Sequence, residues 1–185
     1  MSNFKWAVEN VLHHEGGFND IVGDSGGATN WGISLRFLQN AGDLDGDGLP
    51  DGDLDGDGDV DIDDIRNASR AEAVKLYRDH FWKPNKCDAI LSGLLSNKIF
   101  DMAVNMGSKQ AWKIVQRSIN KLGGDLVVDG IVGINTIAAV NSLLAKDFEL
   151  VTVIRERQGN FYETLIERKP ILAKFRLGWR RRAAF

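Results

Sequence analysis

Glu15 closes an apolar stripe of Phe4, Val8, Val11 and Leu12, spaced three and four apart as one helix face requires, and Gly16-Gly17 follows at once. A carboxyl at the end of a half-buried helix points into whatever cleft the next loop forms. Burial there raises its pKa and keeps its proton available near neutral pH. Such an acid is what a glycosidic bond needs beside its leaving oxygen, with a second carboxylate or a held water on the other face of the sugar. Asp24 and Asp20 are the nearby carboxylates, and Thr29 could orient a water. By residue type alone, a Glu before Gly-Gly is more often a helix-end charge than a catalyst.

A second constellation is acidic. Residues 43–64 hold eleven Asp and no Lys or Arg, and with those charges set aside the net charge of −3 becomes +8 for the rest of the chain. Residues 53–64 fit a twelve-residue calcium loop position by position. Asp53, Asp55 and Asp57 supply hard oxygen ligands at positions one, three and five. Gly58 makes the turn at six, and Asp59 offers its carbonyl at seven. Val60 is the inward apolar residue, Asp61 stands at nine and Asp64 at twelve. An upstream copy, Asp43, Asp45 and Asp47 with Asp51, begins equally well, but its twelfth position is Leu54, so a second site must borrow Asp53 or Asp55. So many carboxylates this close repel one another unless a cation lies among them. The expectation is one structural Ca²⁺, with a second in the upstream copy as the open alternative, and a helix starting near Asp61–Arg66. No organic cofactor is expected. The insert resembles the calcium loops of dockerins and thrombospondin-type repeats.

The elements that must position these groups read as helices. The Gly23–Gly32 stretch is a shaped loop whose end, with Trp31 and Ile33, suits a short strand or extended turn. Ser69-Arg70-Ala71-Glu72 is a capping box, predicting a helix that turns Ala73, Leu76, Tyr77 and Phe81 inward and stops at Pro84. Helices are predicted from about Ser92 to Met106, burying Leu95, Ile99, Met102 and Met106, and from Ser108 to Leu122, burying Ala111, Val115, Ile119 and Leu122. Two more follow, around Thr136–Leu144 and Phe148–Arg168, with Pro170 as the stop. Alternating strand patterns are scarce. The fold class is therefore all-α, with a short irregular segment near Glu15 and the acidic loop as an insert.

A chain of 185 residues buries one core, or one core with an appended lobe. No apolar run approaches the ~18 residues that span a bilayer. The opening residues lack the charged-then-apolar order of a signal peptide, so synthesis in the cytoplasm is expected. Cys87, the single cysteine, reads as structural. His13 and His14 point some 100° apart on a helix, the wrong arrangement for sharing one metal ion. The basic body suits an anionic polymer. Nucleic acid is disfavoured, because no helix carries a row of basic residues and the insert would repel phosphates.

His14-Glu15-Gly16-Gly17-Phe18, then Asp24-Ser25-Gly26-Gly27-Ala28-Thr29-Asn30-Trp31-Gly32-Ile33, resembles the N-terminal signature of glycoside hydrolase family 108, whose members are muramidases and phage endolysins. Leu76 to Trp82 and Phe100 to Gly107 are similar to that family's tyrosine-and-tryptophan segment and central helix. The resemblance implies a lysozyme-like fold, cleavage of the β-1,4 bond between N-acetylmuramic acid and N-acetylglucosamine, and Glu15 as the catalytic Glu. The spacing also looks like that of phage lysozymes, with Asp24 and Thr29 completing the set, although Thr29 falls one residue closer than in that group. Asn30, Trp31, Tyr77 and Trp82 are the expected sugar contacts, while most of the aromatics will be core. Asp101 and Asn105, four apart on one helix face, could bind acetamido or hydroxyl groups; mutual pairing is the alternative.

Val128-Asp129-Gly130-Ile131-Val132-Gly133 is similar to the turn of peptidoglycan-binding modules. The expected organisation is a catalytic region 1–107, containing the 43–64 insert, and a wall-binding lobe 108–185. The tail Arg180-Arg181-Arg182 reads as a solvated terminus. Peptidoglycan is the expected partner of a monomer that does not insert in membranes and reaches the wall by a holin-like release route. A lytic transglycosylase and a calcium-dependent wall-binding module without activity are the competing readings.

Overall fold

Helix α1 (Asn3–Glu15) forms where the apolar stripe demands it, and it buries Phe4, Ala7, Val8, Val11 and Leu12. The computed structural model describes residues 3–15, 18 and 28–185, of residues 13–15 the backbone only. Among the described residues the regular elements are helices apart from one two-stranded sheet, the all-α class expected. None of its described helices is long and apolar enough to cross a membrane. It divides into two compact units, Met1–Pro84 and Asn85–Phe185.

In the first unit, strands β1 (Thr29–Asn30) and β2 (Ile33–Ser34) pair antiparallel, Thr29 opposite Ser34 and Asn30 opposite Ile33. Ser34 then caps the short helix α2 (Leu35–Leu38), its hydroxyl accepting from the Phe37 N–H at 3.1 Å. Helix α3 (Ile62–Asn67) starts within the predicted window. Its capping box is built of aspartates, the Asp63 N–H donating to Asp61 at 2.6 Å and the Asp61 N–H to Asp64 at 2.7 Å. Helix α4 (Arg70–Tyr77) starts at the predicted box, the Ser69 N–H donating to Glu72 at 2.6 Å and the Glu72 N–H to Ser69 at 3.2 Å. It does not stop there. Arg78–Trp82 continues as a π-helical turn, the Lys83 N–H reaching the Arg78 carbonyl at 2.9 Å. The wider turn carries Trp82 into the core, where its ring meets Phe4 edge-on at 5.3 Å. Phe81, expected inside, is half-buried and stacks on Phe37 instead.

In the second unit, α5 (Gly93–Met106) is capped by the Ser92 hydroxyl and is separated from α6 (Ser108–Lys121) by Gly107, which sits at φ +82°. These helices bury Leu95, Ile99, Phe100, Met102, Ala111, Trp112, Val115 and Ile119. Met106 and Leu122, predicted core, are half-buried because each stands at its helix end. α7 (Ile134–Ser142) and α8 (Asp147–Arg168) lie close to their predicted spans. Pro170 opens a 3₁₀ segment, Pro170–Phe175. The terminus corrects the sequence expectation: Arg176–Ala184 forms a helix, α9. It is held by Trp179 stacked on Tyr162 at 4.9 Å, by Arg180 on Glu163 at 3.0 Å and by the burial of Ala183.

Candidate functional site

The last turn of α1 carries Glu15. The side chain of Glu15, and all of Asp20 and Asp24, lie outside the described residues. Phe18 is described, its ring 5.7 Å from the Arg66 guanidinium of α3.

The hairpin after this stretch is tightly fixed. Its two turn residues, Trp31 and Gly32, both have positive φ, +52° and +76°. That is the type I′ geometry that matches strand twist, and it is unusual for a bulky residue. Hydrogen bonds hold Trp31 there: its carbonyl accepts from the Tyr77 hydroxyl at 3.1 Å, and its indole Nε1 donates to the Ala68 carbonyl at 3.0 Å. Asn30 Nδ2 donates to the carbonyls of Ile65 at 3.0 Å and Ala68 at 3.4 Å. The end of α3, a polar pair on the hairpin and the end of α4 thus form one unit. Backbone held off its usual regions by surrounding bonds is a mark of functional sites.

Four expected site residues, Thr29, Asn30, Trp31 and Tyr77, are therefore brought together. Their exposures differ. Thr29 and Trp31 are half-buried and reach solvent, whereas Asn30 and Tyr77 are buried behind them. Trp82 is 0% exposed and packs on Phe4, so it has no open face on which a sugar could stack. Asp101 and Asn105 belong to the second unit. Asp101 lies 3.8 Å from Arg182 Nε, and Asn105 Oδ1 accepts from the Tyr162 hydroxyl at 2.6 Å.

The acidic insert folds as two copies of one device ten residues apart. In the first, the N–H groups of Gly46 and Gly48 donate to Asp43, that of Asp47 to Asp45 and that of Leu49 to Asp47. In the second, Gly56 and Gly58 donate to Asp53, Asp57 to Asp55 and Asp59 to Asp57. Gly58, at the sixth position, has φ +96°, as its turn requires. Three carboxylate trios come within 4.8 Å: Asp43, Asp45 and Asp51; Asp53, Asp55 and Asp57; Asp59, Asp61 and Asp64. Asp47, expected in the upstream set, stands outside its trio. The donors are all hard oxygens, the set that suits a cation such as Ca²⁺ or Mg²⁺. The crowding raises the Asp59 carboxyl above the ordinary range, chiefly through the charge of Asp57, and desolvation raises that of Asp55.

Sequence reasoning missed one anchor of the insert. His80 Nε2, on the π-helical turn, lies 3.0 Å from Asp51 Oδ2, both side chains more than nine-tenths buried. Asp51 Oδ2 also accepts from the Leu44 N–H at 3.1 Å. A pair 29 residues apart leaves no periodic signal. The odd residue was the only cue: a histidine inside an aromatic run.

Comparison with known families gives two matches. The family described as "Glycosyl hydrolase 108" matches residues 8–107, and that described as "Predicted Peptidoglycan domain" matches residues 110–184. Among solved structures, the chain is similar to that described as "Structure of Brucella abortus SagA", with a TM-score of 0.74 and 24% identity over 98% of this chain and 89% of that one. At that identity the likeness speaks for the fold alone. No curated protein matches.

Proposed function

The chain belongs to the glycosyl hydrolase 108 family and is a glycoside hydrolase of the N-acetylmuramidase type acting on peptidoglycan, and from that premise we propose that it cuts the β-1,4 bond between N-acetylmuramic acid and N-acetylglucosamine with Glu15 as general acid. The observation that carries this reading is the extent of the match. Residues 8–107 take in both the last two turns of the helix that ends at Glu15 and the pinned hairpin from Thr29 to Ser34.

In this reading Glu15 delivers its proton to the leaving oxygen. Asp24, or a water held by Thr29, serves the opposite face of the sugar. Trp31, half-exposed with its backbone fixed, lends a flat apolar face to a ring. Asn30 and Tyr77 act through Trp31 by holding the turn. Asp101 and Asn105 are hydrogen-bonding groups for sugar substituents. Residues 108–185 are the wall-binding lobe of a monomer that reaches the wall through a separate membrane protein, as an endolysin does.

The insert would hold Ca²⁺. Asp53, Asp55, Asp57, Asp61 and Asp64, with the carbonyl of Asp59, would together form the main site from two neighbouring trios, and Asp43, Asp45 and Asp51 the core of a second. The all-oxygen donor set and the turn at Gly58 support this reading. The ion would supply positive charge among crowded carboxylates and so fix the start of α3.

The test is mass spectrometry of products from purified peptidoglycan, using wild type and Glu15→Gln with and without EGTA. Reducing-end muramic acid from wild type alone is expected. Anhydro-muramic products would replace the hydrolase with a transglycosylase. Full activity in a folded Glu15→Gln would overturn the assignment of the acid.

A further inference from the structure

Between α6 and α8 of the second unit runs a groove of about 380 Å³. Arg117, Arg157 and Arg168 line it, and no carboxylate does. Four of the other five arginines of this unit have oxygen partners: Arg155 the Phe185 carbonyl, Arg176 and Arg180 Glu163, and Arg182 Asp101. None of the three groove arginines forms an ion pair among the described residues, and Arg117 and Arg168 are exposed. A carboxylate is the planar two-oxygen group that a guanidinium fork pairs with.

The shape narrows the ligand. Arg157 and Arg168 stand eleven residues apart on one helix, about 16 Å at 1.5 Å per residue. An extended peptide covers that distance in about five residues. Between the two arginines the groove presents Phe161 and Leu165 as an apolar floor and Asn160 as an amide. In peptidoglycan the glycan strand offers neutral acetamido and hydroxyl groups, whereas free carboxylates lie along the short peptides attached to it.

We infer that this groove binds the stem peptide of peptidoglycan, with its carboxylates on Arg157, Arg168 and Arg117 and its aliphatic carbons on Phe161. The inference rests on the peptidoglycan reading above. It assigns to the wall-binding lobe, residues 108–185, recognition of the peptide rather than of the sugar.

The test is calorimetric titration of the full chain with a free stem pentapeptide. Wild type is expected to bind, and Arg117→Gln with Arg168→Gln, both at exposed positions, to weaken binding at least tenfold. Arg157→Gln should do the same. Amidating the peptide carboxylates should abolish the signal, and Lys146→Gln, outside the groove, should leave it unchanged. On intact sacculi the double variant should raise KM at least tenfold, while on glycan strands stripped of peptide it should match wild type. No binding by wild type, or equal binding by the arginine variants, overturns the inference. Failure of wild type to cut stripped strands would instead count against the muramidase reading and leave the titration to judge the groove.

Discussion

The Tyr162 hydroxyl donates to Asn105 Oδ1 at 2.6 Å while accepting from Gln158 Nε2 at 2.9 Å, tying α8 to α5 through a polar chain that is largely buried. Burial pushes the tyrosine pKa up to about 12, so it remains a donor throughout the physiological range. Tyr162→Phe keeps the ring stacked on Trp179 but leaves two partners unmatched. It is expected to cost about 1–3 kcal/mol in urea unfolding. An unchanged midpoint would show that water replaces the hydroxyl.

Lys98 predicts a pH dependence. Only 1% exposed, its ammonium donates to the carbonyls of Arg182 at 2.9 Å and Ala183 at 3.3 Å, and burial lowers its pKa to about 8. Between pH 8 and the unfolded value near 10.5, the unfolded chain binds the extra proton, so stability rises with pH across that window. The gain is on the order of 3 kcal/mol if complete. Tyr162 opposes it above pH 10, where the unfolded phenol ionises first. Unfolding from pH 7 to 10 should therefore show a rising midpoint, and Lys98→Met should flatten it.

What could be read ahead was local. The capping box at Ser69 and Glu72, the stripe on α1 and the helical periods of α5 and α6 are spelled in neighbouring residues. What could not be read depends on distant partners. Trp82 enters the core because a π-helical turn rotates it there, and Asn30 and Tyr77 become supports because backbone groups 35 and 46 residues away bond to them. The α9 helix is polar by composition and folds because Tyr162 and Glu163 receive it. Of the candidate site, Thr29 and Trp31 keep the exposure a sugar contact needs, and the acid itself rests on its motif and its place on α1.

The Asp129-Gly130 turn separates two glycines that look alike in sequence. Gly130 sits at φ +79°, and a Cβ there would lie 2.4 Å from the Lys109 carbonyl oxygen; its N–H donates to Gln116 at 2.8 Å. Gly133 has negative φ and open space around it. Gly130→Ala should cost about 1–3 kcal/mol from the backbone alone, with the clash in addition. Gly133→Ala, at the N-cap of α7, should cost no more than about 1 kcal/mol. Thermal unfolding of the two variants decides it, and equal losses would mean that both glycines serve the turn.

Calcium should reach the hairpin through α3. Asp61 and Asp64 cap that helix at one end; at the other, the carbonyls of Ile65 and Ala68 receive Asn30 and Trp31. An ion held by the insert adds up to about 2.7 kcal/mol at a hundredfold excess over its Kd, and removing it frees the capping carboxylates to repel one another. With α3 loosened, the bonds that keep Trp31 at positive φ lose their acceptors. Hydrogen exchange at the Leu35 amide, which donates to the Ala28 carbonyl at 2.9 Å across the hairpin, reports this directly. EGTA should speed that exchange at least tenfold in wild type, and Asp57→Ala should show the fast rate even with calcium present. In Asn30→Ala only the Trp31 indole still reaches α3, so the exchange should be faster than wild type with calcium present and respond less to EGTA. If EGTA lowers the melting temperature yet leaves the Leu35 amide protected, the ion stabilises the insert alone and the hairpin stands without it.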